Sequence, residues 1–351
     1  MIKIGNFKLP SPVFLAPIAG YTDRAFRLVV RAAGHRGLQY TELIHPRGIR
    51  NDCKQARDIE STDTRDQPLG MQIYGNDADW LIEAAQWGQD HGAKIIDINM
   101  GCPVDKVTKT NGGSMLLCNP DRTTKLAEQI VSSVSIPVTA KLRLGWDHKN
   151  ITAPKLARQL ENIGISLITI HGRTTSMRFK GEIILDGIAQ TVAAVRRIPV
   201  IGNGNIKTVE DAVHMMNYTK CSGIMIARAA IKTPWLLHDI EFFLQNKSMP
   251  EELTVLQKCQ LIRLHFNAMR RYRSDREAVS VMRGGIAAYG KSMGHIKPVK
   301  ERIRTMKTPD DFYDALNILE SNLNPSWKRI PPDVILPNAF TPTVTTSLSK
   351  I

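Results

Sequence analysis

Cys102 lies between Gly101 and Pro103, three residues after Asn99. Those turn-forming neighbours put its thiol on a loop, available for reaction, where a core cysteine would be inert. A thiol with a pKa near about 8.5 is mostly protonated at neutral pH and can act as a general acid. Lys141 and His171 each close an apolar run, and a charge there is costly unless it has a task. A cation in such a place can stabilise negative charge developing on a bound ring. A lysine can instead form a Schiff base, or pair with a carboxylate such as Asp97. Gln72 offers an amide that both donates and accepts. Gly202-Asn203-Gly204, followed one unit later by Arg228, lets backbone N–H groups and a guanidinium approach an anion. A Gly-x-Gly alone is a tight turn; the added arginine favours a phosphate. Residues 105–114 are polar and end in Asn111-Gly112-Gly113, the composition of a mobile loop that closes over substrate.

These residues need a scaffold that brings them to one place. Runs rich in β-formers lie at 13–16, 38–41, 69–73, 94–99, 137–142, 166–170, 199–203 and 222–226, most of them continuous and apolar, as parallel strands buried on both faces should be. Amphipathic helical segments intervene, for example 77–91, 121–134 and 208–218, with Asn76 or Asp77 and the pair Asn119-Pro120 as start signals. Eight such repeats within about 230 residues predict a (β/α)8 TIM barrel. An open doubly wound sheet is the competitor, and eight evenly spaced units favour closure. In a barrel the carboxyl ends of the strands carry the active site, which is where Cys102, Lys141, His171, Asn203 and Arg228 fall.

After Pro234 the β signal stops, and 253–272, 278–289 and 310–323 have helical patterns. The expected organisation is a barrel over 1–235, a small all-helical C-terminal domain over 236–330 and a loosely ordered tail over 331–351. The formal charge of +14 is uneven: residues 254–307 hold 13 Lys and Arg against Asp275, Glu277 and Glu301. A basic excess on helices points to a polyanion, although a solvated face gives the same count. The five scattered cysteines show no metal-ligand spacing and suit a reduced, cytoplasmic chain. No apolar stretch is long enough to span a membrane, and no signal-peptide pattern opens the chain. No metal is expected, and a monomer is.

Taken together, residues 15–23 (LAPIAGYTD), 72–75 (QIYG), 97–103 (DINMGCP), 141–146 (KLRLGW), 170–174 (IHGRT) and 202–204 (GNG) resemble the tRNA-dihydrouridine synthase family in its bacterial branch. The matching stretches span nearly the whole barrel, and the loop around Cys102 combined with His171-Gly172-Arg173-Thr174 is the most specific part. The resemblance implies FMN as bound cofactor and NADPH, or NADH, as reductant, with tRNA as substrate. It implies Pro17, Ile18, Ala19, Gln72, Lys141, His171, Asn203, Gly204, Asn205, Ala227 and Arg228 around FMN. It implies Asn99, Arg143 and Arg173 at the substrate uracil, hydride transfer from reduced FMN to C6, and Cys102 as the donor of a proton to C5. The basic helices would hold tRNA phosphates.

Two positions depart from the family pattern. Asn205 stands where the family has Asp, and Ala227 where it has Gly. Both belong to the expected phosphate site: loss of a negative charge at 205 should not harm phosphate binding, whereas Ala227 is expected to crowd the backbone contact and weaken FMN retention without loss of function. An FMN barrel acting on a free pyrimidine, and a tRNA-binding protein with a decayed flavin site, are the two rival readings.

Overall fold

The computed structural model describes residues 2–60, 62, 64–293 and 299–321. Its centre is a closed barrel of eight parallel strands in the order β10-β3-β4-β5-β6-β7-β8-β9. They are β3 Val13–Leu15, β4 Gln39–Tyr40, β5 Leu69–Ile73, β6 Ile95–Met100, β7 Val138–Arg143, β8 Ile168–His171, β9 Val200–Asn203 and β10 Gly223–Ile226. All eight coincide with the expected runs to within two residues at either end. Every residue of β5 and β6 is buried, which explains why both are apolar apart from Gln72, Asp97 and Asn99. Helices start where the caps predict. The Asp77 side chain accepts from Trp80 N, Asn119 caps a helix with proline in its first turn, and Thr208 with Asp211 forms a capping box.

Two further strands, β1 Ile2–Ile4 and β2 Phe7–Leu9, form an antiparallel hairpin. Sequence patterning missed them because three-residue strands carry too little periodicity. Ile2, Ile4 and Leu9 join Phe14, Tyr40, Ile95, Leu167, Ile201 and Met225 in one interior cluster. A Cβ on Gly5 would meet Pro137, and the Ile2 side chain comes close to Gly223, both at the amino ends of strands. The hairpin therefore plugs the amino end of the barrel, and only the carboxyl end remains as a mouth.

The helix Leu236–Asn246 buries Leu236, Leu237 and Ile240 in the cluster between strands and outer helices. It is the eighth outer helix, so the boundary expected at 235/236 falls one helix too early; the break in packing comes after Asn246. The helices Val255–Arg270, Asp275–Met293, Lys300–Thr305 and Pro309–Ser321 share a second cluster around Phe266, Met282 and Phe312, joined by Ala25 of the first barrel helix. A polar clasp reinforces that seam. Tyr272 Oη accepts from Ala25 N at 2.6 Å, and Arg273 pairs with Asp23 at 2.5 Å. The expected tail, 331–351, lies outside the described residues. Among the described residues no helix is long and apolar enough to cross a membrane.

Candidate active site

Strand register sets the heights of the functional side chains. Asn99 pairs with Lys141 across β6 and β7, Arg143 with His171 across β7 and β8, and His171 with Asn203 across β8 and β9. Asp97 lies two residues before Asn99 and Thr139 two before Lys141, so with a side-chain period of two they form the layer beneath. The barrel thus assembles Gln72, Asn99, Cys102, Lys141, Arg143, His171 and Asn203 at one mouth, as the sequence predicted.

The Cys102 loop is held from below. Asn99 Oδ1 accepts from Gly101 N at 3.2 Å and from Cys102 N at 2.9 Å. Asn99 Nδ2 donates to Gln72 Oε1 at 2.7 Å, and Gln72 Nε2 donates to Asp97 Oδ2 at 2.7 Å. Gln72 therefore spends one donor and one acceptor inside the protein and keeps one of each. The segment after Cys102, expected as a mobile loop, contains a short helix, Asp105–Thr108, and a 3-10 turn, Gly113–Cys118. Ser114 N donates to Cys102 O at 3.0 Å. Gly113 is required there: its φ is +57°, and a Cβ would come within 2.6 Å of Cys102 O. Burial pushes the Cys102 thiol above its ordinary value, outweighing the opposing pull of Arg143 and Lys141. The thiol is consequently a neutral acid at physiological pH.

The opposite wall is cationic. Lys141 Nζ donates to Asn203 Oδ1 at 3.1 Å; its partner is thus this amide, while Asp97 is occupied by Gln72 and by Thr139 Oγ1 at 2.6 Å. Burial, helped by Arg143, lowers the Lys141 ammonium to about 8. Burial also pushes His171 well down, and Lys141, Arg143, Arg173 and Arg228 all add to the shift. Arg143 and Arg173 are 1% and 2% exposed. Arg143 Nε donates to Gly101 O at 2.8 Å and its Nη1 to Thr174 O at 2.8 Å, so it also braces the thiol loop. Arg173 donates to Lys180 O and Gly181 O, lies 3.2 Å from His171 Nε2, and reaches Asn205 Oδ1 at 2.8 Å.

The Asn205 departure from the expected phosphate pattern has a structural basis. Asn205 has φ +51°, a conformation asparagine tolerates. Its Oδ1 accepts from Arg173 while its Nδ2 donates to Glu182 Oε2 at 3.1 Å. An aspartate could not donate to Glu182, which supplies the negative charge that position 205 lacks. Ala227 lies outside the left-handed region, with φ −113° and ψ −109°. Gly204 is different: φ is +128°, and a Cβ would meet Ile183 at 2.7 Å and His171 at 3.1 Å. This Cβ-free cradle beside a crowd of cations suits a phosphate-bearing flavin. Pro17, Ile18 and Ala19 form the turn after β3, where Ile18 N donates to Thr22 Oγ1 at 2.9 Å, and Arg228 is exposed at the head of a short helix.

Sequence reasoning missed Glu182 and the role of Asp97. The first sits on a patternless loop. The second shares a strand face with Asn99, a period-two signal that was available, but its pairing with Gln72 is a register fact.

The fold and its motifs have counterparts. Residues 14–324 match the family described as "Dihydrouridine synthase (Dus)". A tRNA-dihydrouridine synthase B of Pasteurella multocida is 35% identical over 82% of this chain and 86% of its own length. A tRNA-dihydrouridine synthase B of Vibrio cholerae is 33% identical over 90% of this chain and 97% of its own. Among solved structures, a morphinone reductase variant in complex with tetrahydroNAD superposes with TM-score 0.51 at 12% identity, covering 71% of this chain and 90% of that one; this likeness concerns the barrel fold alone. With the barrel, the Asn99-anchored cysteine loop and near-complete coverage in agreement, this chain belongs to the dihydrouridine synthase family.

Proposed function

We propose that this protein is a tRNA-dihydrouridine synthase, reducing the C5–C6 double bond of uridines in tRNA, with Cys102 as the proton donor. The observation that carries the reading is a protonated thiol on an anchored loop, facing a wall of cations at one barrel mouth. Bound FMN, recharged by NADPH, would supply the hydride for C6 of uracil. Gly204, Asn205, Ala227 and Arg228 would hold its phosphate, Pro17, Ile18 and Ala19 would flank its ring, and Gln72 would offer its remaining donor and acceptor. Lys141 and His171 would face the ring edge; the ammonium, kept charged below about pH 8, stabilises negative charge there.

A uridine stacked in folded RNA cannot reach the mouth and must swing out of its stack. Asn99, Arg143 and Arg173 then orient the uracil, and Cys102 Sγ passes its proton to C5. A thiol raised above its ordinary value suits this step, because it arrives protonated at neutral pH. The C-terminal segment, with 13 Lys and Arg over 254–307, is read as the tRNA-binding domain that grips the phosphate backbone in the cytoplasm. Mass spectrometry of tRNA from cells with and without the gene tests the function. Specific uridines should lose two mass units of hydrogen when the gene is removed and regain them with the wild-type protein. Unchanged tRNA would refute the assignment, and reduction of free uracil without affinity for tRNA would favour a free-pyrimidine enzyme.

A further inference from the structure

The loop that carries Cys102 hangs from a hydrogen-bond chain with a direction. At its upper end are two backbone N–H groups, Gly101 and Cys102, which can only donate. At its lower end is Asp97, fully buried, whose carboxylate can only accept when ionised. Between them stand two amides that could each be turned either way. Because both ends are fixed, only one arrangement satisfies every contact. Gln72 must aim its nitrogen at Asp97 and its oxygen at Asn99; Asn99 must aim its nitrogen at Gln72 and its oxygen at the loop. Turning Gln72 would bring oxygen against oxygen at Asp97 and nitrogen against nitrogen at Asn99, in contacts now 2.7 Å long. Turning Asn99 would strand two backbone donors, one of them the N–H of Cys102 itself.

We propose that Asp97 is a positioning residue of this site: its acceptor-only carboxylate sets the direction of the Gln72 and Asn99 amides and through them holds the Cys102 loop. Its consequence for catalysis rests on the reading of Cys102 as the acid, whereas the positioning does not. Aligned donors and acceptors polarise one another in a buried chain, and Thr139 Oγ1 occupies the second carboxylate oxygen, so Asp97 itself cannot swing away. The same constraint fixes which end of the Gln72 amide remains free to read a ring bound above it.

The test moves the carboxylate along the chain. In Asp97→Asn the new amide can present oxygen or nitrogen to Gln72, and the direction is lost. In Gln72→Glu two carboxylates oppose each other and the chain breaks. In the double variant Asp97→Asn/Gln72→Glu, residue 97 donates to Glu and Glu still accepts from Asn99, so the loop anchor returns. Iodoacetamide labelling of Cys102 at about pH 8, followed by peptide mass spectrometry on the full-length protein, reads the loop directly. Each single variant should label about fivefold faster than wild type, and the double variant within about twofold of it, a rescue that independent packing losses cannot produce. Thr139→Val keeps the side chain's shape but removes the second hold on Asp97, so it should label faster than wild type and more slowly than Asp97→Asn. The kcat on tRNA should fall in Asp97→Asn with the tRNA KM unchanged; the Gln72 variants are read by labelling alone, because they also alter the amide that faces the ring. Wild-type labelling in Asp97→Asn, or losses that add in the double variant, would overturn the proposal. If Asp97→Asn does not fold, a double variant that folds and labels at the wild-type rate supports it, and one that labels as fast as Gln72→Glu overturns it. Full activity in Cys102→Ala would remove the acid reading while leaving the labelling result intact.

Discussion

On the β7–β10 side of the mouth, burial holds His171 neutral, and four cations add to the effect. On the β5–β6 side, Cys102 hangs from neutral amides that end in one buried carboxylate. The first side is frustrated by itself: Lys141 is driven down to about 8 and Arg143 to about 10, chiefly by burial. The second side is satisfied, with each amide paired at both ends. A cluster of like charges kept at a cost implies an anion that relieves it, whereas a closed amide chain implies a group held still and neutral. On the proposed reading, one half of the site binds a charged cofactor and the other delivers a proton.

The contrast can be broken most severely at Gly204. With φ at +128° and no room for a Cβ, Gly204→Ala should weaken flavin binding at least about 100-fold, the equivalent of roughly 2.7 kcal/mol. Flavin titration followed by fluorescence quenching measures it. Cys102 labelling should not change, since the amide side is separate; coupled loss of both would erase the distinction.

A smaller effect separates the two sides by pH. A lysine charged only below about 8 gives kcat a base limb there, because activity falls as the ammonium loses its proton with rising pH. Arginine keeps its charge throughout. Lys141→Arg should move the limb upward, leaving the variant about tenfold better at pH 9, relative to its own neutral-pH rate, than wild type is. An unmoved limb would assign it to Cys102 instead. A milder loss, about fivefold in tRNA KM without change in NADPH-driven flavin reduction, is expected for Arg273→Ala, which opens the clasp to Asp23. Smallest of all, Asn205→Asp should weaken flavin binding about threefold by opposing Glu182, and salt should shrink the difference.

Much of this architecture was readable beforehand. Buried parallel strands are largely apolar along their length, so runs such as β10 stand out, and the caps at Asp77 and Asn119 mark helix starts on purely local grounds. Cys102, Asn99, Lys141 and His171 stood at strand ends, where a barrel must put them. What escaped was non-local. The Gln72–Asp97 bond depends on strand register, and Asn205–Glu182 on two loops meeting in space. The hairpin β1–β2 is too short for a period. The helix Leu236–Asn246 was assigned to the wrong unit because its apolar face looks the same whether it covers a barrel or a helical bundle.

The central claim is that Cys102 delivers the proton, and single-turnover kinetics addresses it most directly. Protein reduced beforehand and mixed with tRNA lacking dihydrouridine should reoxidise its flavin and yield dihydrouridine. In Cys102→Ala the flavin should bind and reduce as in wild type, while dihydrouridine formation slows by about 100-fold or more, within the range for loss of a general acid. Wild-type turnover in that variant would contradict the account.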